Sequence, residues 1–266
     1  MMKQEAAVKV ISQSLRKDKL VKAIFLKGSM GRREHDEYSD IDLYCLVDEE
    51  DEEQFLTKRL MHLESYRKIL FYEDFFIIAP QIIAVFDNLL HVDLFTVTES
   101  SFKEKDFFHV LHDPEGRLTK FQSTQNLSLS LEEFSGYAYN VAWYLFQYSK
   151  AEQRGNDLWA VEMLQHVMVN LSKVLLHRYR PEKAQLGLKS LESQLPPMQL
   201  NKVKTIFMHI TPNSHNKAVY YLIKLLSDEN DWIESKVEKG SQAAPFISMM
   251  ITKLNQQKSE GKGSEG

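Results

Sequence analysis

The chain has 266 residues, 43% of them hydrophobic and 26% charged, with a formal net charge of −4 at pH 7. That content supports one large domain or two ordinary ones, and the near-balance of charge gives no global attraction to long nucleic acids, for which a strongly basic face is expected. The single cysteine, Cys45, excludes an internal disulfide framework and suits a reducing cytosol, and the charged N-terminus MMKQEAAVKVISQSLRKDK is no secretory signal, so a cytoplasmic protein is expected.

Residues 5–17 place Val8, Ile11 and Leu15 at helical spacing. Leu20–Leu26 is a short apolar run ending just before Lys27-Gly28, and Ile41–Val47 is a second; both read as buried strands. Between them Ser29–Arg33 reads as a helical turn with Ser29 as its N-cap. The acidic run at 48–53 suits the first turn of a helix extending to about Tyr66. Strands follow at roughly 69–78, 81–87 and 90–97, the last two joined by a turn at Asp87-Asn88, and Phe107–Leu111 adds a short one closed by Asp-Pro-Glu-Gly. The greasiest stretch, FFIIAPQIIAVF, is broken by Pro80-Gln81 and falls short of the ~20 residues a membrane helix needs.

After that the periodicity changes. From about Leu131 to Leu254 the pattern is helical, with one apolar stripe through Phe134, Ala138, Val141, Ala142, Leu145 and Phe146. A broader stripe, from Leu158 through Leu164, Val167, Val169 and Leu171 to Leu176, predicts a helix buried on much of its surface. Pro181, Pro196-Pro197 and Pro212 mark helix boundaries, and the polar, glycine-rich tail at 257–266 reads as disordered. The expected fold class is α+β: a mixed sheet with flanking helices over residues 1–118, then an all-helical bundle over 119–256.

Chemistry concentrates in the first half. Residues i and i+2 of a strand point the same way, so Asp40 and Asp42 project from one face while Ile41 and Leu43 pack the other. Two carboxylates so close repel unless a cation neutralises them, and Mg²⁺ is commonly held by one or two carboxylates plus substrate phosphates. A third acid, Asp93, interrupts the apolar strand NLLHVDLFTV on the face that also carries His91 and Phe95. Three strand-borne carboxylates can hold two ions ~3.5–4 Å apart, the spacing of in-line phosphoryl chemistry. Upstream, Gly28 lets the backbone approach a ligand, amides at a helix start bind phosphate, and Lys27, Arg32 and Arg33 add positive charge. Taken singly, each has a plain alternative, as surface carboxylates or an ordinary turn.

The stretch GSMGRREHDEYSDIDLYCLV resembles the signature of the nucleotidyltransferase superfamily, the fold shared with DNA polymerase beta, and more narrowly the lincosamide and aminoglycoside nucleotidyltransferases. The likeness extends through Asp93 and VLHDPEG to the helical stretch at 153–175. It implies nucleoside triphosphate as co-substrate and two Mg²⁺ ions, with Gly28, Ser29, Arg32 and Ser39 on the nucleotide side and Lys150 reaching the triphosphate from the second domain. It implies Asp40 and Asp42 as metal ligands and Asp93 as a further ligand or general base. The reaction implied is transfer of a nucleoside monophosphate to a hydroxyl of a small molecule, releasing pyrophosphate; dimers are common among such enzymes. One departure is that the commoner pattern ends the turn in glycine where this chain has Arg33, which a helical arginine satisfies without positive φ. The competing readings are a protein or tRNA adenylyltransferase and a non-catalytic or toxin–antitoxin binding protein on the same fold.

Overall fold

The computed structural model describes residues 2–102 and 105–261. The chain divides into two compact units, Met1–Asn126 and Leu127–Gly266.

In the first unit, α1 (Lys3–Leu15) leads into β1 (Val21–Leu26), the short α2 (Gly28–Gly31) and β2 (Ile41–Val47). A 3₁₀ turn at Glu49–Asp51, α3 (Glu52–Leu56) and α4 (Arg59–Glu64) follow, then β3 (Ile69–Phe76), β4 (Pro80–Phe86), β5 (His91–Val97) and β6 (His109–His112). The strands form one mixed sheet ordered β3-β4-β5-β2-β1-β6. β2 and β5 run parallel at its centre, and the other pairings are antiparallel. A parallel pair needs a crossover, supplied here by the α3–β4 segment.

Strand alternation divides the core. Ile24, Leu26, Ile41, Leu43, Cys45, Val92 and Leu94 pack on one face against Ala7, Val8, Ile11 and Leu15 of α1 and Phe55 and Leu63 of the crossover helices. Phe25, Tyr44, Leu46, Phe95 and Val97 face the other way, with Phe102 and Leu118. Cys45 is fully buried, and burial pushes its thiol up, away from the reactive thiolate.

The helix read across 48–66 is instead three pieces, interrupted at Thr57-Lys58. There the Thr57 hydroxyl donates to the Gln54 carbonyl, and the buried Arg59 guanidinium donates to the Leu56 carbonyl and, at 2.7 Å, to Asp74. The turn between β4 and β5 forms around Asp87-Asn88 with Leu89 at φ 57°, and the Asn88 side chain accepts from the Leu90 amide.

His62 of α4 is 2% exposed, between the Ser14 hydroxyl at 3.0 Å and Asp18 at 3.2 Å. Burial holds its imidazole below the ordinary value of 6.5 against the pull of Asp18, and burial does the same to His177 in the second unit. An imidazole depressed in the folded state takes up its proton later than in the unfolded chain. The stability it contributes is therefore complete above about pH 6.5 and lost as pH falls towards the folded value. We expect histidine NMR titrations of the folded protein to give midpoints below 6.5 for both residues; a midpoint above it at His62 contradicts the burial.

The second unit is helical: α5 (Leu131–Gln153), α6 (Asp157–Tyr179), a 3₁₀ turn at Pro181–Leu186, α7 (Leu188–Gln194), α8 (Pro197–Met208), α9 (His215–Lys236) and α10 (Ala243–Gly261). Ser130 and Glu133 close a reciprocal capping box on α5. The broad stripe expected on α6 is narrower, since Leu158 and Val169 are exposed and Ala160, Met163, Met168 and Val174 complete the buried face. The backbone of α10 continues to Gly261, into the segment read as a disordered tail; residues 262–266 lie outside the described residues. No helix among the described residues is long and apolar enough to cross a membrane.

Candidate active site

The polar cluster forms where β1 and β2 meet β5. The β1–β2 pairing continues past Leu26, with the Lys27 amide donating to the Asp42 carbonyl at 3.0 Å. In the parallel β2–β5 pairing Asp42 lies directly opposite Asp93. Lys27, Asp42 and Asp93 thus stand in one transverse row of the sheet. The next row on that face is aromatic: Phe25 stacks on Tyr44 at 5.1 Å between centroids, and Tyr44 on Phe95 at 4.3 Å. Ring faces wall one side of the acids, so their charge is not surrounded by water on that side.

His91, two residues before Asp93, points the same way, and its Nε2 lies 3.0 Å from the Asp93 Oδ1. The hydrogen bond to Asp93 raises the imidazole's proton affinity above its ordinary value, and the charges of Asp93, Asp40 and Asp42 add to it. Asp40, His91 and Asp93 each offer one ligand atom, and those atoms lie within 4.8 Å of one another. Asp93 is 8% exposed, whereas Asp40 is open to solvent. Asp42 takes a different direction, its carboxylate lying over Gly28.

The turn beneath is built on close approach. Gly28 has φ 57°, and a Cβ there would sit 1.8 Å from the Asp42 Oδ2. Gly31 passes so close to neighbouring backbone that a Cβ would meet the Leu26 oxygen at 2.7 Å and the Phe107 oxygen at 2.8 Å. Ser29 is not the N-cap; Lys27 holds that position, and the Ser29 hydroxyl is buried without a hydrogen-bond partner among the described residues. Nor is Arg33 helical: it adopts φ 60°, the left-handed conformation that glycine would occupy without penalty. Left-handed backbone costs an L-residue roughly 1–2 kcal/mol, and glycine gives back roughly 0.5–1 kcal/mol through unfolded-chain entropy. Arg33→Gly is therefore expected to raise the thermal midpoint by a few degrees, read by calorimetry; a fall indicates side-chain contacts worth more than the strain.

The other residues singled out from the sequence are placed as follows. Arg32 is paired internally, with Asp106 at 2.6 Å and Glu34 at 3.0 Å. The Ser39 hydroxyl donates to the Asp36 carboxylate and accepts from the Asp36 amide, closing the turn before Asp40. Lys150 lies in the last turn of α5, its ammonium 4.7 Å from the Phe146 ring centroid.

A residue that periodicity does not flag is Gln4. Buried at the start of α1, its amide lies 2.9–3.1 Å from the carbonyls of Ser39, Glu37 and Asp36, and so holds the loop that delivers Asp40. A polar residue on the inner side of an otherwise apolar helical face was the only signal for it.

Residues 8–108 match the family described as nucleotidyltransferase domain. No curated protein matches the chain by sequence. Among solved structures, an aminoglycoside 6-adenyltransferase from Bacillus subtilis aligns at 11% identity over 96% of this chain and 99% of that one, with a TM-score of 0.40. A nucleotidyltransferase-like protein from Exiguobacterium sibiricum aligns at 12% identity over 85% and 75%, TM-score 0.39. The CD-NTase CdnG from Bradyrhizobium diazoefficiens, solved with GTP, aligns at 12% identity over 93% and 91%, TM-score 0.30.

Proposed function

We propose that this chain, whose residues 8–108 form a nucleotidyltransferase domain, transfers a nucleoside monophosphate from a nucleoside triphosphate to a hydroxyl of a small molecule. The observation that carries this reading is the register that sets Asp42 beside Asp93, with Asp40 and His91 gathered at the same edge of the sheet.

A divalent cation belongs to this chemistry, and the residues present fit one. Two carboxylates and an imidazole, converging to within 4.8 Å, form a donor set suited to a hard or borderline divalent ion such as Mg²⁺ or Mn²⁺. Asp40, His91 and Asp93 are the residues that would hold it, with Asp42 adjacent. When bound, such an ion neutralises the charge that develops on the triphosphate.

The protein's own groups do the rest. Asp93, oriented by its hydrogen bond to His91, accepts the proton of the attacking hydroxyl. The hydroxyl oxygen bonds to the α-phosphorus as the bond to the pyrophosphate oxygen breaks, so pyrophosphate leaves opposite the attack. The Gly28-Ser29 backbone and the Ser29 hydroxyl, which has no hydrogen-bond partner among the described residues, offer donors to the phosphates. The aromatic row of Phe25, Tyr44 and Phe95 limits water on one side of the acids and strengthens charge interactions there. Aminoglycosides and lincosamides are the first acceptors we would assign, on the strength of the motif that runs from Gly28 to Asp42.

The test is to incubate the protein with Mg²⁺ or Mn²⁺, labelled ATP or GTP, and a panel of aminoglycosides and lincosamides. Acceptor masses increased by one nucleoside monophosphate, with matching pyrophosphate release, are expected. Silence across that panel together with transfer of the nucleoside monophosphate onto a protein or tRNA acceptor, pyrophosphate being released, would move the assignment to macromolecular substrates. Absence of any metal-dependent nucleotide binding would overturn it.

A further inference from the structure

A cleft of about 410 Å³ lies between α1, the segment after α2, and β6, on the side of the sheet that packs α1. The carboxylates described above project from the opposite face. Its polar lining is Lys9, Ser12 and Gln13 of α1, Arg16 just past the end of that helix, Arg33 and His35 of the loop after α2, and His109 of β6, with Glu5 as its carboxylate. We infer that this cleft is a second binding site, which takes the phosphoryl group of a small molecule. The inference goes beyond the proposed transfer reaction and does not rest on it.

Two independent features point to an anion. Arg33 occupies a left-handed position where glycine would sit without strain, so placing its guanidinium here carries a backbone cost. At the wall of the cleft its fork is available to an anion, and phosphoryl oxygens match that fork in two parallel hydrogen bonds. His35 supplies the second feature. Both its ring nitrogens are buried and neither has a hydrogen-bond partner among the described residues; the Glu5 carboxylate stands 3.9 Å away, beyond hydrogen-bond reach. An imidazole carries at least one N–H, and burying it unpaired is unfavourable unless something else accepts from it.

Charge and size set the ligand class. Lys9, Arg16 and Arg33 against Glu5 leave an excess of positive charge, which suits a dianionic phosphoryl group better than a lone carboxylate. Arg16 is already anchored, donating to the Leu111 carbonyl, so one wall is fixed before a ligand arrives. Apolar Val8, Leu26, Met30 and Leu111 complete the lining, so the phosphoryl group would be borne by a small organic body, and the volume is of the size that small ligands fill.

The experiment is calorimetric titration of the metal-free full chain, in EDTA and at constant ionic strength set with chloride. The probes are inorganic phosphate, pyrophosphate and glucose 6-phosphate, which separate a free-phosphate source from a phosphomonoester. Saturable binding of at least one probe is expected, weakened tenfold or more in Arg33→Gly, a variant that relieves strain and so folds. Lys9→Ala should weaken it too, Glu5→Gln should tighten it, and Asp93→Asn should leave it unchanged. No saturable binding beyond chloride overturns the inference, as does equal affinity in Arg33→Gly. Loss in Asp93→Asn with retention in Arg33→Gly places the anion at the acidic cluster, which sinks this site while leaving the transferase reading intact.

Discussion

Asp93→Asn is expected to abolish nucleotidyl transfer while the folded state survives. The substitution keeps the side chain's volume and an oxygen that can accept from His91, so the central β2–β5 pairing has no steric reason to shift. What it removes is charge. Asp93 is the most buried of the three acids gathered at this edge, and its carboxylate is both the nearest partner of His91 and one of the three converging ligand atoms. Losing an outer partner of a metal site typically costs ~10–100-fold in affinity or activity, and a residue that would hold the ion and take the proton itself should exceed the top of that range. Two readouts separate the roles: Mn²⁺ affinity by calorimetry and single-turnover transfer at saturating metal. Weak metal binding with transfer recovered at high Mn²⁺ means Asp93 is chiefly a ligand; transfer still lost at saturation means it is chiefly the base. Transfer within tenfold of the parent would remove Asp93 from the chemistry.

Much of this frame can be read in the sequence because alternation is local. The bounds of β2 follow from Ile41-Asp42-Leu43, where apolar and acidic residues trade places; Asp42 and Asp93 stand out as charges that interrupt greasy runs, and Asp40 stands at the entrance to β2. The pairing of Asp42 with Asp93 is a different kind of fact. It depends on a parallel register set by the crossover through α3, α4, β3 and β4, and no local spacing encodes it. Arg33 shows the same limit at the level of one residue. Its helical neighbours suggest an ordinary helical φ, but the chain must turn sharply after Gly31, whose backbone is pressed against Leu26 and Phe107. Tertiary packing there overrides propensity. His91 was visible as a companion of Asp93 by the period of two, but its place in the ligand cluster came only with Asp40, delivered by a loop that Gln4 holds from another element.

Gly28→Ala should damage both fold and activity, and the two losses have separable causes. The backbone fault is φ 57°, which costs an L-residue roughly 1–2 kcal/mol. The steric fault is larger in consequence: the new methyl would lie 1.8 Å from the Asp42 Oδ2 and 2.9 Å from its carboxyl carbon. Asp42 cannot retreat along the sheet, because β2 is held between β1 and β5. Its carboxylate must rotate off Gly28, towards the position opposite Asp93 where a second negative charge is unwelcome, or the Gly28 turn must lift. Either movement displaces a group of the site, and a misplacement of about 1 Å is able to cost ~100-fold in rate. Thermal unfolding should therefore show a lowered midpoint, and transfer per folded molecule should fall by about two orders of magnitude. Arg33→Gly, five residues on, relieves the same kind of backbone strain that Gly28→Ala introduces, so the two variants should move stability in opposite directions. A Gly28→Ala protein that is less stable but transfers normally would mean that the direction of the Asp42 carboxylate is irrelevant to the reaction, leaving Asp40, His91 and Asp93 as its centre.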